Sequence, residues 1–105
     1  MSSLHNHGLK SETVEQINHV FAKHSEVEAA VLYGSRAKGT YKPASDIDLT
    51  LFGPKLNLSL LLKIETELDD LLLPYKIDLS LQSSIDNPSL VEHIKRVGTI
   101  FYKKV

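Results

Sequence analysis

Three features of this chain carry side chains suited to one chemistry. Gly34-Ser35 leaves an apolar run and opens a turn; ten residues then separate it from Asp46 and Asp48, and Asp78 follows in an Ile-Asp-Leu tripeptide that repeats Ile47-Asp48-Leu49. Gly34 has no Cβ, so a ligand can approach its backbone closely. Ser35 offers a hydroxyl beside exposed N–H groups, and Arg36 and Lys38 add positive charge at a strand-to-helix corner. Backbone donors, a hydroxyl and two cations there make an anion site, most naturally for phosphate.

The aspartates supply the opposite charge. Period-two alternation along Asp46–Phe52 places Asp46, Asp48 and Thr50 on one face and Ile47, Leu49 and Leu51 on the other. Same-face carboxylates roughly 6 to 7 Å apart along a strand repel each other, and each is driven toward its protonated form unless a cation lies between them. Hard oxygen ligands favour Mg²⁺ or Mn²⁺. The run Tyr75–Gln82 alternates in the same way, with Lys76, Asp78, Ser80 and Gln82 together. Asp78 joins the acidic cluster if the two strands are neighbours with polar faces aligned; otherwise it is a solvent-facing residue, and the sequence leaves that pairing open. The full assembly suits metal-assisted phosphoryl chemistry. Asp46 and Asp48 could hold two such ions, with Asp78 as a ligand of the second that would also take the nucleophile's proton; the amides around Gly34 with the Ser35 hydroxyl would hold β- and γ-phosphates, so that pyrophosphate would be the leaving group.

The elements that must position these groups follow from the same patterning. Residues 1–10 are polar and patternless and read as a flexible tail, in which His5 and His7 form His-x-His without a third ligand nearby. Ser11 reads as an N-cap for an amphipathic helix carrying Val14, Ile17, Val20 and Phe21 to about His24, with His19 and His24 on its surface. Val27–Tyr33 is a strand ending at Gly34. After Gly53-Pro54, a helix from Asn57 or Ser59 carries Leu61, Ile64, Leu68, Leu71 and Leu72 on one face, and Pro74 ends it. Leu56, Leu58 and Leu60 exceed what one buried face can hold, which marks the Leu56–Leu62 region for a partner. Asn87 caps a last helix with Pro88 at its first position and Leu90, Val91, Ile94 and Val97 on its apolar face. Gly98 ends it, and Thr99–Tyr102 is a closing strand.

Composition bounds the rest. The 105 residues are 42% hydrophobic and 24% charged, ordinary for a single soluble domain spanning residues 11–105. No apolar run is long enough to span a bilayer, no signal-peptide core is visible near the N-terminus, and there is no cysteine, which together point to a cytoplasmic protein. A net charge of −1 gives no bulk attraction to nucleic acid and argues against it as the direct substrate. Self-association is left open.

Gly34-Ser35, ten residues, Asp46-x-Asp48 and the later Asp78, flanked by Tyr-Gly-Ser-Arg-Ala-x-Gly and Ser-Asp-Ile-Asp-Leu, resemble the signature of the DNA polymerase beta-like nucleotidyltransferases. The resemblance extends from about residue 11 to residue 102 and is to their stand-alone minimal nucleotidyltransferases, the antitoxin half of HEPN/MNT toxin–antitoxin pairs. It implies an α/β (α+β) fold with a mixed sheet of about four strands and helices mainly on one face. It also implies nucleotide transfer from ATP to a hydroxyl, with Asp46, Asp48 and Asp78 as catalytic and metal-binding residues and Gly34, Ser35, Arg36 and Lys38 against the nucleotide. In such pairs the acceptor is a tyrosine of an all-helical HEPN-domain toxin. Larger relatives grip base and acceptor with a second helical domain, for which this chain has no room. Two other readings are a two-protein transferase acting on a small molecule such as an aminoglycoside, and a module that binds nucleotide or partner without turnover.

Overall fold

The alternating segments form four strands, and the helical ones pack around them. The structure, a computed structural model, describes residues 7–105. Its elements run α1 (Ser11–Ala22), β1 (Ala29–Tyr33), α2 (Gly34–Lys38), β2 (Ile47–Phe52), α3 (Leu58–Asp69), β3 (Ile77–Leu81), a 3-10 turn (Gln82–Ser84), α4 (Pro88–Val97) and β4 (Thr99–Lys103).

The sheet order is β3-β2-β1-β4. β1 runs antiparallel to both β2 and β4, whereas β2 and β3 are parallel, a pairing that needs a crossover and receives one in α3. This mixture decides where the chemistry sits. The antiparallel pair sets the end of β1 beside the start of β2, with Tyr33 opposite Asp48. The parallel pair sets the start of β3 there too, with Asp48 opposite Asp78. All three elements thus deliver their polar residues to one end of the sheet.

One sheet face carries the core. Ala30 and Leu32, Ile47, Leu49 and Leu51, and Leu79 and Leu81 pack with Ile17, Val20 and Phe21 of α1 and Leu61, Ile64 and Leu68 of α3. Burial of such side chains contributes about 1.5–3 kcal/mol each. α4 lies on the other face against β1 and α2. Its C-terminal Gly98 is backed so closely onto Val31 and the Ile94 carbonyl that a Cβ there would collide. The helices are therefore mainly, but not wholly, on one face. Asn57 caps α3 by accepting the Leu60 N–H at 2.9 Å, and Asn87 Oδ1 caps α4 by accepting the Ser89 N–H at 3.0 Å.

Some boundaries depart from the sequence reading. α3 ends at Asp69, and Leu72, expected on its buried face, is 88% exposed with φ +55°. Pro74 drives Leu73 out of helical conformation, so the chain turns before Leu72 can face the core. The α1 cap position is Lys10 rather than Ser11, which is already helical. Leu9 is fully buried and Gly8 packs beneath the Tyr41 ring, so residues 7–10 belong to the folded body rather than to a tail. The rest of that tail, with His5 of the His-x-His pair, lies outside the described residues. Of the three surplus leucines only Leu58 is exposed, at 65%; Leu56 and Leu60 pack in part against the core, and Leu62 of the same region is 54% exposed. No helix among the described residues is long and apolar enough to cross a membrane.

Candidate active site

The chain leaves β1 at Tyr33 and enters the five-residue α2 through Gly34, whose φ of +76° lies in the left-handed region that favours glycine. A Cβ at Gly34 would collide with Asp48 Oδ2. The missing side chain is what lets the phosphate-type turn and the first strand carboxylate touch. α2 closes on Gly39, also left-handed at φ +82°, with the Thr40 N–H returning to the Ser35 carbonyl at 3.0 Å.

Asp48 is half-buried, while Asp46, in the loop just ahead of β2, and Asp78 are exposed. Burial raises the Asp48 carboxyl above the ordinary aspartate range, and the charges of Asp78 and then Asp46 raise it further. That ordering locates both other aspartates near Asp48. Neighbouring strands stand about 4.8 Å apart, so Asp48 and Asp78, in register, crowd like charge at the sheet end. Among the described residues, no three acidic or imidazole side chains converge as a preassembled metal cluster, which accords with mutually repelling carboxylates. The donor set is of the kind a hard divalent cation takes: the three side chains offer only carboxylate oxygen, and the half-buried one, Asp48, lies beside like charge. Asp46, Asp48 and Asp78 are the residues that could hold one.

Arg36 departs from its expected place against a phosphate. It is only 2% exposed. Its Nε and Nη2 donate to the Ser45 carbonyl at 3.1 and 3.0 Å, Nη2 also to the Pro43 carbonyl at 3.2 Å, and Nη1 to the His7 carbonyl at 2.9 Å. The guanidinium also lies 5.1 Å from the Tyr41 ring centroid and 4.8 Å from that of Tyr75. Carbonyl oxygens and aromatic faces replace its hydration; Nε and Nη2 are committed to the loop that ends at Asp46, and Nη1 ties that loop to His7. Arg36 thus fixes the approach to the aspartates from behind. Lys38, by contrast, is exposed at the end of α2.

Two site residues were not singled out from the sequence. The Tyr33 phenol is buried beside the aspartates. Burial raises its pKa, Asp78 and Asp48 add to the rise, and the Ser80 hydroxyl, nearby but short of full hydrogen-bond geometry, works against it. His93 of α4 accepts the Gly34 N–H on Nε2 at 3.0 Å, and its ring meets Tyr33 edge-on, centroids 6.2 Å apart and planes at 81°. Gly34's own amide, expected to face phosphate, is therefore already bonded within the protein. A signal existed: His93 lies three residues after Leu90 and four before Val97, on the stripe that packs inward. An open cleft of about 590 Å³ between α1 and α3 is lined by none of the site residues; its Glu67 bonds His24 at 3.0 Å and Lys23 at 3.3 Å.

Residues 15–105 match the family described as Polymerase beta, Nucleotidyltransferase. A protein of Methanocaldococcus jannaschii named "Putative protein adenylyltransferase MJ1217" is 30% identical over 92 residues, covering 80% of this chain and 93% of that protein. Among solved structures, a chain of a toxin–antitoxin complex with AMP-PNP superposes with a TM-score of 0.68 at 18% identity, covering 91% of this chain and 75% of that one. A complex of the tri-AMPylated Shewanella oneidensis HEPN toxin with its MNT antitoxin gives 0.65 at 16% identity, covering 90% and 72%. These likenesses carry the fold. The match to the family over most of the chain, with the turn and the aspartates brought to one end of the sheet, makes this chain a member of the polymerase beta nucleotidyltransferase family.

Proposed function

We propose that this chain transfers AMP from ATP to a tyrosine hydroxyl of a helical HEPN-type partner and acts as the antitoxin of the pair. The observation that carries the reading is the in-register placement of Asp48 and Asp78 beside a glycine turn that touches Asp48. The acceptor and partner are supported by the names of the relatives, one a protein adenylyltransferase and one an antitoxin beside an AMPylated toxin.

Asp46, Asp48 and Asp78 would hold Mg²⁺ or Mn²⁺, which supplies charge neutralisation for the triphosphate and lowers the pKa of an attacking hydroxyl. The Ser35 hydroxyl, the amides after Gly34 and the Lys38 ammonium bind the β- and γ-phosphates. The acceptor oxygen forms a bond to the α-phosphorus as the bond from that phosphorus to the β-bridging oxygen breaks, and pyrophosphate leaves. Asp78, the most exposed strand carboxylate, takes the hydroxyl proton and passes it to solvent. A tyrosine suits the role because its phenol, with a pKa of about 10, ionises more readily than an alkyl hydroxyl. Incubating the chain and its partner with ATP radiolabelled at either the α- or the γ-phosphate tests the reaction type. Label retained on the partner from α-labelled ATP alone supports nucleotidyl transfer; retention from γ-labelled ATP would make it a kinase and overturn the reading.

A further inference from the structure

We infer that His93 is a positioning residue for the phosphate-binding turn: its neutral imidazole, by accepting the Gly34 N–H, fixes Gly34 against Asp48 and leaves Ser35 and the following amides to meet the nucleotide. The inference rests on the nucleotidyl-transfer reading above. Gly34 is the weak point of the turn. It has no side chain to lock it, it holds a left-handed φ of +76°, and its Cα lies against Asp48 Oδ2. A rotation of its peptide would move the turn and the carboxylate contact together. The Gly34 N–H is bonded to Nε2 of His93 at 3.0 Å, 59 residues away in sequence.

That bond dictates the state of the ring. Nε2 accepts only when it carries a lone pair, so the imidazole is neutral with its proton on Nδ1. The ring also packs edge-on against Tyr33, centroids 6.2 Å apart and planes at 81°. Its backbone belongs to a helix capped by Asn87 at one end and by the Gly98 N–H to Ile94 carbonyl bond, 2.7 Å, at the other. A group on a rigid element that orients a backbone amide beside a reacting carboxylate acts through that amide, not on substrate. His93 links α4 to Gly34, and Gly34 to Asp48.

The test compares His93→Leu, which fills space without an acceptor, with His93→Gln, whose amide oxygen can accept. Nitrogen-15 NMR of the wild type should show the Nδ1-protonated neutral tautomer and a downfield Gly34 amide proton. His93→Leu should lose that amide shift and weaken binding of AMP-PNP with Mg²⁺ by about tenfold, with a melting temperature within about 5 °C of the wild type. His93→Gln should recover most of both. An Nε2-protonated ring in the wild type would overturn the inference. So would equal AMP-PNP affinity in wild type and His93→Leu, or equal losses in both variants that track lost stability. Failure of the wild type to bind AMP-PNP while the tautomer and amide shift are as stated would instead locate the error in the nucleotide reading and remove the role with it.

Discussion

Asp48 and Asp78 face each other across the parallel strands β2 and β3, and Gly34 lies against the first of them. Two like charges are thus held side by side by backbone register, and among the described residues neither is in an ion pair with a cation. The consequences reach stability as well as chemistry.

The first concerns pH. The Asp48 pKa is raised in the fold, by burial and then by Asp78 and Asp46, so the folded state binds the proton more tightly than the unfolded chain. That contribution is fully present below the unfolded value, about 4, and is lost as pH rises through the folded value. The metal-free protein therefore carries a penalty at neutral pH. Asp48→Asn should melt higher than the wild type at about pH 7 in EDTA, and the gain should vanish near pH 3, where the carboxyl is protonated. Mg²⁺ should raise the melting temperature of the wild type and not that of the variant. Thermal melts across pH with and without Mg²⁺ decide the matter.

Arg36 should behave as a structural residue. Arg36→Ala leaves three carbonyls without their donors and should cost about 3 kcal/mol or more, lowering the melting temperature by more than about 10 °C. Arg36→Lys should recover little, since a point charge cannot reproduce the fork of the guanidinium. Lys38→Ala should change stability by no more than about 0.5 kcal/mol yet weaken ATP binding. A native-like melt for Arg36→Lys with selectively weakened ATP binding would return Arg36 to the nucleotide.

Gly34→Ala combines two costs: a left-handed backbone, about 1–2 kcal/mol for a residue with a Cβ, and a collision with Asp48 Oδ2. Shortening the carboxylate removes the second. In a double-mutant cycle with Asp48→Ala, the stability lost through Gly34→Ala should be smaller by about 1 kcal/mol in the Asp48→Ala background than in the wild type. Strict additivity in denaturant titrations would mean that the two residues do not touch.

Much of this site was legible in the sequence because its elements are local. The period of two separates Asp46 and Asp48 from Ile47 and Leu49, and Gly34 marks the turn whose φ proves positive. The repeated Ile-Asp-Leu raised the pairing of Asp48 with Asp78, but only the β2–β3 register could show it. What was not legible depends on tertiary packing. A charged side chain next to a glycine turn looks like an anion ligand, and nothing local shows that carbonyls of residues 7, 43 and 45 surround Arg36. His93 reaches Gly34 only because α4 crosses the sheet's second face. Leu72 fits a helical stripe that the chain leaves before reaching it.

The central claim, AMP transfer by a site built on Asp46, Asp48 and Asp78, is tested most directly by intact mass of the HEPN-type partner after incubation with this chain, ATP and Mg²⁺. The account predicts the mass increase of one or more AMP groups on tyrosine, together with loss of the toxin's activity. Asp46→Asn, Asp48→Asn or Asp78→Asn should each abolish most of the transfer, because the three act as one unit. Silencing of the toxin by Asp46→Asn as complete as by the wild type, with no change in mass, would contradict it and make neutralisation a matter of binding alone.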